Sequence, residues 1–330
     1  MIVTIDPQIF EGAHASDEQR FELFTHAYDG RHRIELDEAH AAVRAWVAQR
    51  DPVWRETWES ARDLALREST LDILRQQIRV VPGERDRFKQ QPFELTVSTA
   101  LRVLRLPLRI LVENARTDGR LFLVRASDIG GRRDRLTRML DAQAIEFENG
   151  NGIDDMSAVV DERRGDPVWR LRHYVVFDGD TLRPNVPSTT AATLQRRCAK
   201  FNIPHHCLAR RSAENYLPAR AIEMLWADRG EKRNDERLRL VRAYRDLDQP
   251  GNVPQRRHHF SLKKGFDGAQ HDDALYAAVP DARRKALAHG FGDKIRDVFG
   301  LPHADWERWL LEDGQGDELG AMLDEVIAFR

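Results

Sequence analysis

Residues 105–217 alternate short apolar runs with longer stretches whose apolar positions follow a helical spacing. The runs are rich in branched side chains and predict strands at Leu108–Val112, Ala144–Phe147, His173–Phe177 and Ile203–Leu208. The stretches between them are long enough for crossover helices, for example at Gly131–Leu140 and Ala191–Phe201. This alternation predicts an α/β domain: a mostly parallel sheet with helices on both faces. Sites in such sheets form outside the carboxyl ends of the strands.

The segments on either side of this domain have different patterns. Residues 1–104 start with a predicted strand and continue with amphipathic helices. The predicted elements are Ile2–Ile5, Glu38–Gln49, Pro52–Leu66 and Phe93–Leu104. Residues 218–330 are predicted to be helical, beginning with a helix from Pro218 to about Arg229. We therefore expect three parts: an N-terminal mixed α/β or helical region (1–104), a central domain (105–217) and a helical C-terminal region (218–330).

The composition is that of a globular chain. Of the 330 residues, 41% are hydrophobic and 32% are charged, which is enough apolar material for a core. No apolar run approaches about 18 residues, and the first residues have no secretory signal pattern. Cys198 and Cys207 are too few for a disulfide framework and favour a reducing compartment. We expect a cytoplasmic protein that has no membrane-spanning helix.

The formal net charge of −2 hides a marked preference for arginine. Arginine accounts for 45 of the 52 basic residues. A GC-rich genome favours arginine codons and explains this bias without any function. Arginine is also a bidentate ligand of phosphate, but nucleic-acid binding requires the arginines to lie on one face. The sequence leaves both interpretations open.

Acidic residues follow the predicted strands of the central domain. Glu113 and then Asp118 come after the first strand, Asp178 and Asp180 after the third, and Glu214 after the fourth. If the strands are parallel, these loops leave the same edge of the sheet, where converging carboxylates repel one another unless a cation lies between them. Oxygen ligands of this kind suit Mg²⁺ or Mn²⁺, and a pair of such ions can promote hydrolysis of a phosphodiester.

The segments LRILVENARTDGRLF, IEFENGNG, HYVVFDGD and CLARRSAENYLP resemble a TOPRIM (topoisomerase–primase) domain. Glu113 matches the glutamate after the first strand of that family, and Asp178 and Asp180 match its Asp-x-Asp motif. The Glu-Asn-Tyr-Leu segment that begins at Glu214 resembles OLD-like nucleases and the TOPRIM subunits of antiphage systems such as PARIS. This resemblance covers about a third of the chain and implies a nuclease.

The resemblance also implies a lysine near the scissile phosphate and a partner protein. The segment HHFSLKKGF offers Lys263 or Lys264 for the first role. The related antiphage subunits act beside an ABC-type ATPase. The sequence contains no nucleotide-binding P-loop, so the resemblance implies that this ATPase is a separate chain.

The match departs from the family pattern at one position, where Asn114 replaces the usual glycine after the first glutamate. This substitution puts the path of the backbone beside the metal in doubt. The N-terminal strand followed by Asp6 also resembles PIN-like nuclease domains, although we identify no further acids for such a site. A structural or partner-docking role for residues 1–104 is the preferred interpretation.

Several of the candidate residues have simpler explanations. Asp118 is suited to capping the next helix, and Glu214 to a first helical turn. The Gly150-Asn151-Gly152 segment is either a phosphate-binding loop or a plain turn. Trp46, Trp54 and Trp58 suggest a helical surface that meets another subunit, for example in a homodimer. Glu113, Asp178 and Asp180 form the strongest candidate metal site because they follow one another in the expected order.

These observations predict an Mg²⁺- or Mn²⁺-dependent nuclease of DNA or RNA, acting in antiphage defence under the control of an ATPase. Glu113, Asp178 and Asp180 would bind the metal, supported by Glu214 and Asp118, and Lys263 or Lys264 would stabilise developing charge. The first alternative is a TOPRIM-like module that scaffolds an ATPase complex or binds nucleic acid without cutting it. The second alternative is another phosphoryl-transfer reaction at the same site, since a fold does not determine a function.

Overall fold

The computed structural model describes residues 1–28, 32–67, 75–226, 235–249, 256–266 and 273–329, with side chains left undescribed at residues 64, 65 and 226. Over these residues the chain has an α/β architecture with two four-stranded sheets, both entirely parallel. No helix in the described ranges has the length and apolar character needed to cross a membrane.

The first sheet belongs to the N-terminal region. Its strands are β1 (Ile2–Ile5), β2 (Arg33–Leu36), β3 (Gln77–Val80) and β4 (Phe93–Leu95), arranged in the order β2-β1-β3-β4. The sequence pattern predicts only β1. The other three strands are three or four residues long and contain charged side chains, so they carry little of the apolar signal by which strands are predicted.

The second sheet is the one that the sequence predicts. Its strands are β5 (Leu108–Val112), β6 (Ile145–Asn149), β7 (His173–Phe177) and β8 (His205–Cys207), in the order β6-β5-β7-β8. The predicted bounds of β5 and β7 are confirmed. Strand β6 begins one residue later and ends two residues later than predicted, and β8 begins two residues later and ends one residue earlier. All five residues of β7 are buried, as expected for a central strand covered on both faces.

Helices cover both sheets and form most of the C-terminal region. The α-helices of six or more residues are Asp17–Tyr28, Ala41–Ala48, Pro52–Arg67, Val97–Arg105, Arg133–Asp141, Ile153–Arg163, Thr189–Lys200, Asp235–Arg245, Asp281–Ala286, Trp306–Glu312 and Gly316–Phe329. Shorter α-helices are Val124–Ala126, Pro167–Leu171, Ala219–Ala221 and Arg256–His259. Ala115–Leu123 and Ile222–Trp226 are π-helical, and Asp293–Gly300 is a 3₁₀-helix.

One helix prediction is wrong, and a second extends beyond the described residues. Residues 93–104 were expected to form one helix, but Phe93–Leu95 is strand β4 and the helix begins at Val97. Thr96 separates the two elements because its hydroxyl caps the helix by accepting a hydrogen bond from the Thr99 amide. The helix predicted from Pro218 does start there, but its predicted end near Arg229 lies outside the described residues.

The buried apolar residues form three clusters. One surrounds the first sheet, and two cover the opposite faces of the second sheet, with Ile110 on one face and Leu111 on the other. Val168 and Leu171, from the short helix before β7, belong to the cluster of the first sheet. That helix therefore connects the two sheets by burying its side chains in the first and continuing into the central strand of the second.

Candidate active site

The carboxyl ends of β5 and β7 form a crevice in the second sheet. The chain leaves β5 toward β6 on one side and leaves β7 toward β8 on the other, so the strand order reverses here. Glu113 directly follows β5 and Asp178 directly follows β7. The Glu113 Oε1 atom accepts a hydrogen bond from the Asp178 backbone amide at 3.2 Å. These two predicted site residues are thus in direct contact across the crevice.

The turn after β7 is held close to the loop that follows β8. The Asp178 Oδ1 atom accepts a hydrogen bond from the Ala213 amide at 2.9 Å. A Cβ atom at Gly179 would collide with the carbonyl oxygen of Leu208, so only glycine permits this approach. Asp180 has a φ of 46°, a left-handed conformation that aspartate tolerates better than most residues. Its exposed carboxylate lies at the mouth of the crevice.

Asn114 and Asp118 organise the turn after β5. The Asn114 side chain caps the helix Ala115–Leu123 by accepting hydrogen bonds from the amides of Arg116 and Thr117 at 3.1 and 3.0 Å. The Asp118 carboxylate accepts a hydrogen bond from the backbone amide of Asn114 at 2.9 Å. The φ of Asn114 is −139°, an extended conformation that any residue adopts. The absence of glycine at this position therefore causes no backbone strain.

Glu214 lies beneath the crevice and is almost completely buried, with 1% of its surface exposed. It begins no α-helix but belongs to the 3₁₀ turn Ala213–Tyr216. Its Oε1 atom is 2.8 Å from the Lys263 ammonium and 3.4 Å from the Arg296 Nε atom. Its Oε2 atom is buried and has no hydrogen-bond partner among the residues that the structure describes. Glu214 is therefore a charged group with one acceptor atom left unsatisfied.

The segment that carries Lys263 is fastened to the Glu214 turn by a buried amide. Asn215 is fully buried, and its side-chain nitrogen donates to the carbonyl oxygens of Arg257 and Phe260, both at 2.8 Å. The predicted alternative, Lys264, is exposed and directs its charge toward Asp180. Of the two lysines, Lys263 is the one that reaches into the acidic cluster.

The clustered acids hold their protons more strongly than surface carboxylates do. Burial raises the pKa of Glu113 to about 7, and repulsion from Asp118 and Asp180 adds to this effect. Burial and then the Glu113 carboxylate raise the pKa of Asp178 well above its usual value. Burial and the Glu214 carboxylate raise the pKa of Asp118. The five predicted acids therefore form one electrostatically coupled group at this edge of the sheet.

Two of the acids are more strongly influenced by nearby cations. Partial loss of hydration raises the pKa of Asp180, but Arg211, Lys263 and Lys264 oppose the rise. Burial disfavours ionisation of Glu214, yet attraction to the Lys263 ammonium and hydrogen bonds to the carboxylate together outweigh it and keep the pKa of Glu214 below its usual value. Glu214 is the acid of the group that is already neutralised by a partner.

The donor set has the chemistry that hard divalent cations require, namely several carboxylate oxygens and little else. The mutual repulsion of Glu113, Asp118 and Asp178 and the unsatisfied Oε2 atom of Glu214 are both relieved by a cation. Over the described part of the chain, however, no group of three or more His, Cys, Asp or Glu side chains is arranged to hold a metal ion. The residues fit Mg²⁺ or Mn²⁺ by chemistry, and side-chain rotation would have to bring their oxygens to one point.

Other predicted residues have structural roles. Asn149 and Asn151 bond to each other, and Asn149 accepts a hydrogen bond from the Ala115 amide at 3.2 Å, so the Gly150 segment is a turn that supports the site. Arg210, which follows β8 along the chain, also has a structural role, since it is buried and paired with Asp313 at 2.8 Å. The expected partner surface of Trp46, Trp54 and Trp58 is wrong: all three are at most 5% exposed and pack around Phe24 in the first core.

The N-terminal acid noted for its PIN-like position is also engaged. Asp6 caps the short helix Pro7–Phe10 by accepting a hydrogen bond from the Gln8 amide at 3.0 Å. Its other carboxylate oxygen is 2.6 Å from Arg79 on β3. Asp6 therefore connects the carboxyl end of β1 to the neighbouring strand β3.

Sequence reasoning missed a second cation that the C-terminal region contributes beside Lys263. Arg296 contacts Glu214, and its Nη1 atom donates to the Thr117 hydroxyl at 3.1 Å. It lies in the helix Asp293–Gly300, far along the chain from either partner. One arginine among 45 has no distinguishing sequence signal, so only the fold identifies it.

Comparisons with models of protein families, with curated proteins and with solved structures found no match for this chain. The functional conclusion therefore rests on the residues of the site.

Proposed function

We propose that this protein is a TOPRIM-like nuclease that hydrolyses phosphodiester bonds of DNA or RNA with the help of Mg²⁺ or Mn²⁺. The observation that carries the proposal is the contact between Glu113 and Asp178 at the strand-order reversal, surrounded by Asp118, Asp180 and Glu214. A parallel α/β sheet of this kind is consistent with a TOPRIM-like fold. Repelling carboxylates are costly for a fold, and a divalent cation gives them a function.

The residues have separate roles in the proposed reaction. Glu113, Asp178 and Asp180 would hold the metal, with Asp118 and Glu214 as supporting oxygen donors. Bound Mg²⁺ or Mn²⁺ would supply an activated water molecule and charge neutralisation at the phosphodiester. Glu214 orients the Lys263 ammonium beside the carboxylates, where it would stabilise charge that develops on the phosphoryl oxygens. Arg211 and Lys264, next to Asp180, would attract the nucleic-acid backbone.

The proposal extends to the setting of the activity. The resemblance to antiphage TOPRIM subunits supports a role in antiviral defence, controlled by an ABC-type ATPase on a separate chain. The cysteine content supports a cytoplasmic location. A homodimer is compatible with this role, and its test is the mass of the purified protein in solution.

The test is cleavage of plasmid DNA and of total tRNA in Mg²⁺ or Mn²⁺, with and without an added ABC-type ATPase partner. We expect cleavage by the wild type and a loss of about 100-fold or more in Glu113→Gln, because removing one electrostatic group from such a site costs about this much. Asp134→Asn, an exposed acid on the helix Arg133–Asp141, is the matched control and should cut normally. Wild-type cleavage rates in Glu113→Gln would refute the metal assignment.

A non-catalytic scaffold or nucleic-acid-binding module is the second candidate. The observation that favours it is the Lys263–Glu214 ion pair, which neutralises one acid of the cluster without a metal. Calorimetric titration with Mn²⁺ separates the two candidates. Binding at micromolar concentrations that Asp178→Asn abolishes favours the nuclease. Folded protein that binds no metal at millimolar concentrations and cuts neither substrate favours the scaffold.

A further inference from the structure

A cavity of about 540 Å³ lies on the side of the molecule opposite the acidic cluster. It is lined by residues that precede β3 and β7, and by the last described helix, Gly316–Phe329. Since β7 has five residues and rises by about 3.3 Å per residue, the cavity is on the order of 15 Å or more from Asp178. Its volume is within the usual range of about 300–1,000 Å³ for small-molecule sites.

The charged residues of this cavity are mainly basic. Among the described residues, its lining includes the cations Arg75, Lys89 and Arg170 and the single acid Glu325. Glu325 accepts a hydrogen bond from the Tyr174 hydroxyl at 2.6 Å. Arg75 is 6% exposed, so its guanidinium group lies inside the protein. Guanidinium groups in such a position favour a phosphate or carboxylate ligand.

Two polar groups of the lining have atoms without partners. The Oε1 atom of Gln76 and the Nε atom of Arg170 are buried, and neither makes a hydrogen bond with any residue that the structure describes. Gln76 is only 7% exposed, so water does not compensate its carbonyl group freely. Buried polar atoms are rarely left unsatisfied in folded proteins, and each one asks for an explanation. A ligand that both accepts and donates hydrogen bonds would satisfy both atoms.

Aromatic rings complete the lining. Phe88 and Phe93 lie on one side with ring centroids 6.0 Å apart, and Phe329 lies on another, packed edge-to-face against Tyr174. Aromatic rings that line a cavity beside amide groups suit a flat heteroaromatic ring whose edge carries donors and acceptors. The side chains of Gln90, Gln91 and Asn202 supply further amides.

We propose that this cavity binds a nucleoside phosphate. The cations would hold the phosphate, and the phenylalanine rings and amides would hold the base. The ligand would contact residues before β3 in the first sheet and residues before β7 in the second, so it would bridge the two sheets. This site is independent of the proposed nuclease, because it shares no lining residue with the acidic cluster.

The test is calorimetric titration of the full-length protein with AMP, GMP, CMP and UMP. The buffer contains EDTA, which prevents metal-mediated binding at the acidic cluster. We expect saturable binding of at least one nucleotide and a loss of affinity of tenfold or more in Arg170→Glu. Arg170→Lys should retain part of the affinity, because it keeps the charge but not the planar fork. Arg196→Glu makes the same charge change on the exposed face of another helix and should bind as the wild type does.

Further arms separate the sources of the ligand and the two sites. A 5′-phosphorylated trinucleotide tests whether the phosphate and base come from a nucleic-acid end, and tighter binding of it than of any mononucleotide would identify that source. Glu113→Gln should bind the nucleotide normally, even if it cuts nothing. The proposal is overturned if folded wild-type protein binds no nucleotide at millimolar concentration, if inorganic phosphate binds as tightly as the nucleotides, or if Arg170→Glu leaves the affinity unchanged.

Discussion

The carboxylate of Glu113 is placed at a cost to the stability of the metal-free protein. Burial and neighbouring acids raise its pKa to about 7 in the folded state, compared with about 4.5 when it is exposed. The folded state therefore binds this proton more tightly than the unfolded state. The stability gained from binding this proton is fully present below about pH 4.5 and is lost as the pH rises through 7.

This cost predicts that Glu113→Gln stabilises the metal-free protein at pH 8. The expected gain in the free energy of unfolding is on the order of 1–3 kcal/mol, and it should vanish near pH 4.5. Urea denaturation in EDTA at both pH values measures it, with Asp134→Asn as the control that changes little. Added Mg²⁺ should then stabilise the wild type more than the variant. A less stable variant at pH 8 would contradict this account.

Lys263 and Lys264 are adjacent in sequence but differ in environment, which gives a matched pair of variants. Lys263→Met leaves the buried Glu214 carboxylate with only Arg296 as a cation, and we expect a loss of about 2–4 kcal/mol in urea denaturation. Lys264→Met changes an exposed side chain and should alter stability by less than about 0.5 kcal/mol. Adding Glu214→Gln to Lys263→Met should recover most of the loss. Equal effects of the two lysine variants would argue against the ion pair.

At the scale of elements, the site depends on loops that approach each other closely. The turn after β7 packs on the backbone after β8, and the Asn215 amide holds the Glu214 turn against the Lys263 segment. These contacts involve backbone atoms at fixed distances, so small side chains and well-placed amides decide them. The parallel strands bring the acids to one edge of the sheet, and the contacts between loops determine where each carboxylate lies.

Gly179→Ala tests this close approach. The added methyl group would meet the Leu208 carbonyl oxygen and the Thr181 methyl carbon, so we expect a loss of about 1–3 kcal/mol in the free energy of unfolding. Gly165→Ala is the matched control. No atom lies within 4 Å of a Cβ atom there, and its backbone is not left-handed, so the change should be neutral or stabilising by up to about 1 kcal/mol. Chemical denaturation of both variants decides the question, and a stable Gly179→Ala would refute the proposed packing.

At the scale of the whole molecule, two sheets with the same strand order both contact the short helix before β7. Pro167–Leu171 buries Val168 and Leu171 in the first core, and the chain then enters β7. Arg172, at the junction, is 2% exposed and donates two hydrogen bonds to the Leu106 carbonyl oxygen, at 3.0 and 2.6 Å. We therefore expect a change in either sheet to affect the start of β7, the strand that precedes Asp178.

Leu171→Ala should consequently weaken both sheets together. We expect a loss of about 2–5 kcal/mol, the usual cost of truncating a buried leucine. Hydrogen–deuterium exchange should show protection falling by the same factor in β1 and in β5. Val53→Ala, at a residue that is 72% exposed, should change neither. Loss of protection confined to β1 would mean that the sheets unfold independently.

The sequence alone determined the α/β class, the four strands of the second sheet and the identity of the acids that follow them. These features are local, because a buried central strand such as β7 needs a continuous apolar run and a parallel sheet places the next residue at one edge. The same reasoning identified Lys263 only as one of two candidates. It missed three strands of the first sheet, whose short and charged segments lack a periodic apolar signal.

Tertiary structure decided everything that depends on contacts between distant segments. Only the fold selects Lys263 over Lys264, recruits Arg296 from the C-terminal region and turns Trp46, Trp54 and Trp58 into a core. It also creates the cavity between the two sheets, whose lining comes from several separate stretches of chain. Sequence spacing records which residues are neighbours along the chain, whereas charge pairing and cavity lining depend on neighbours in space.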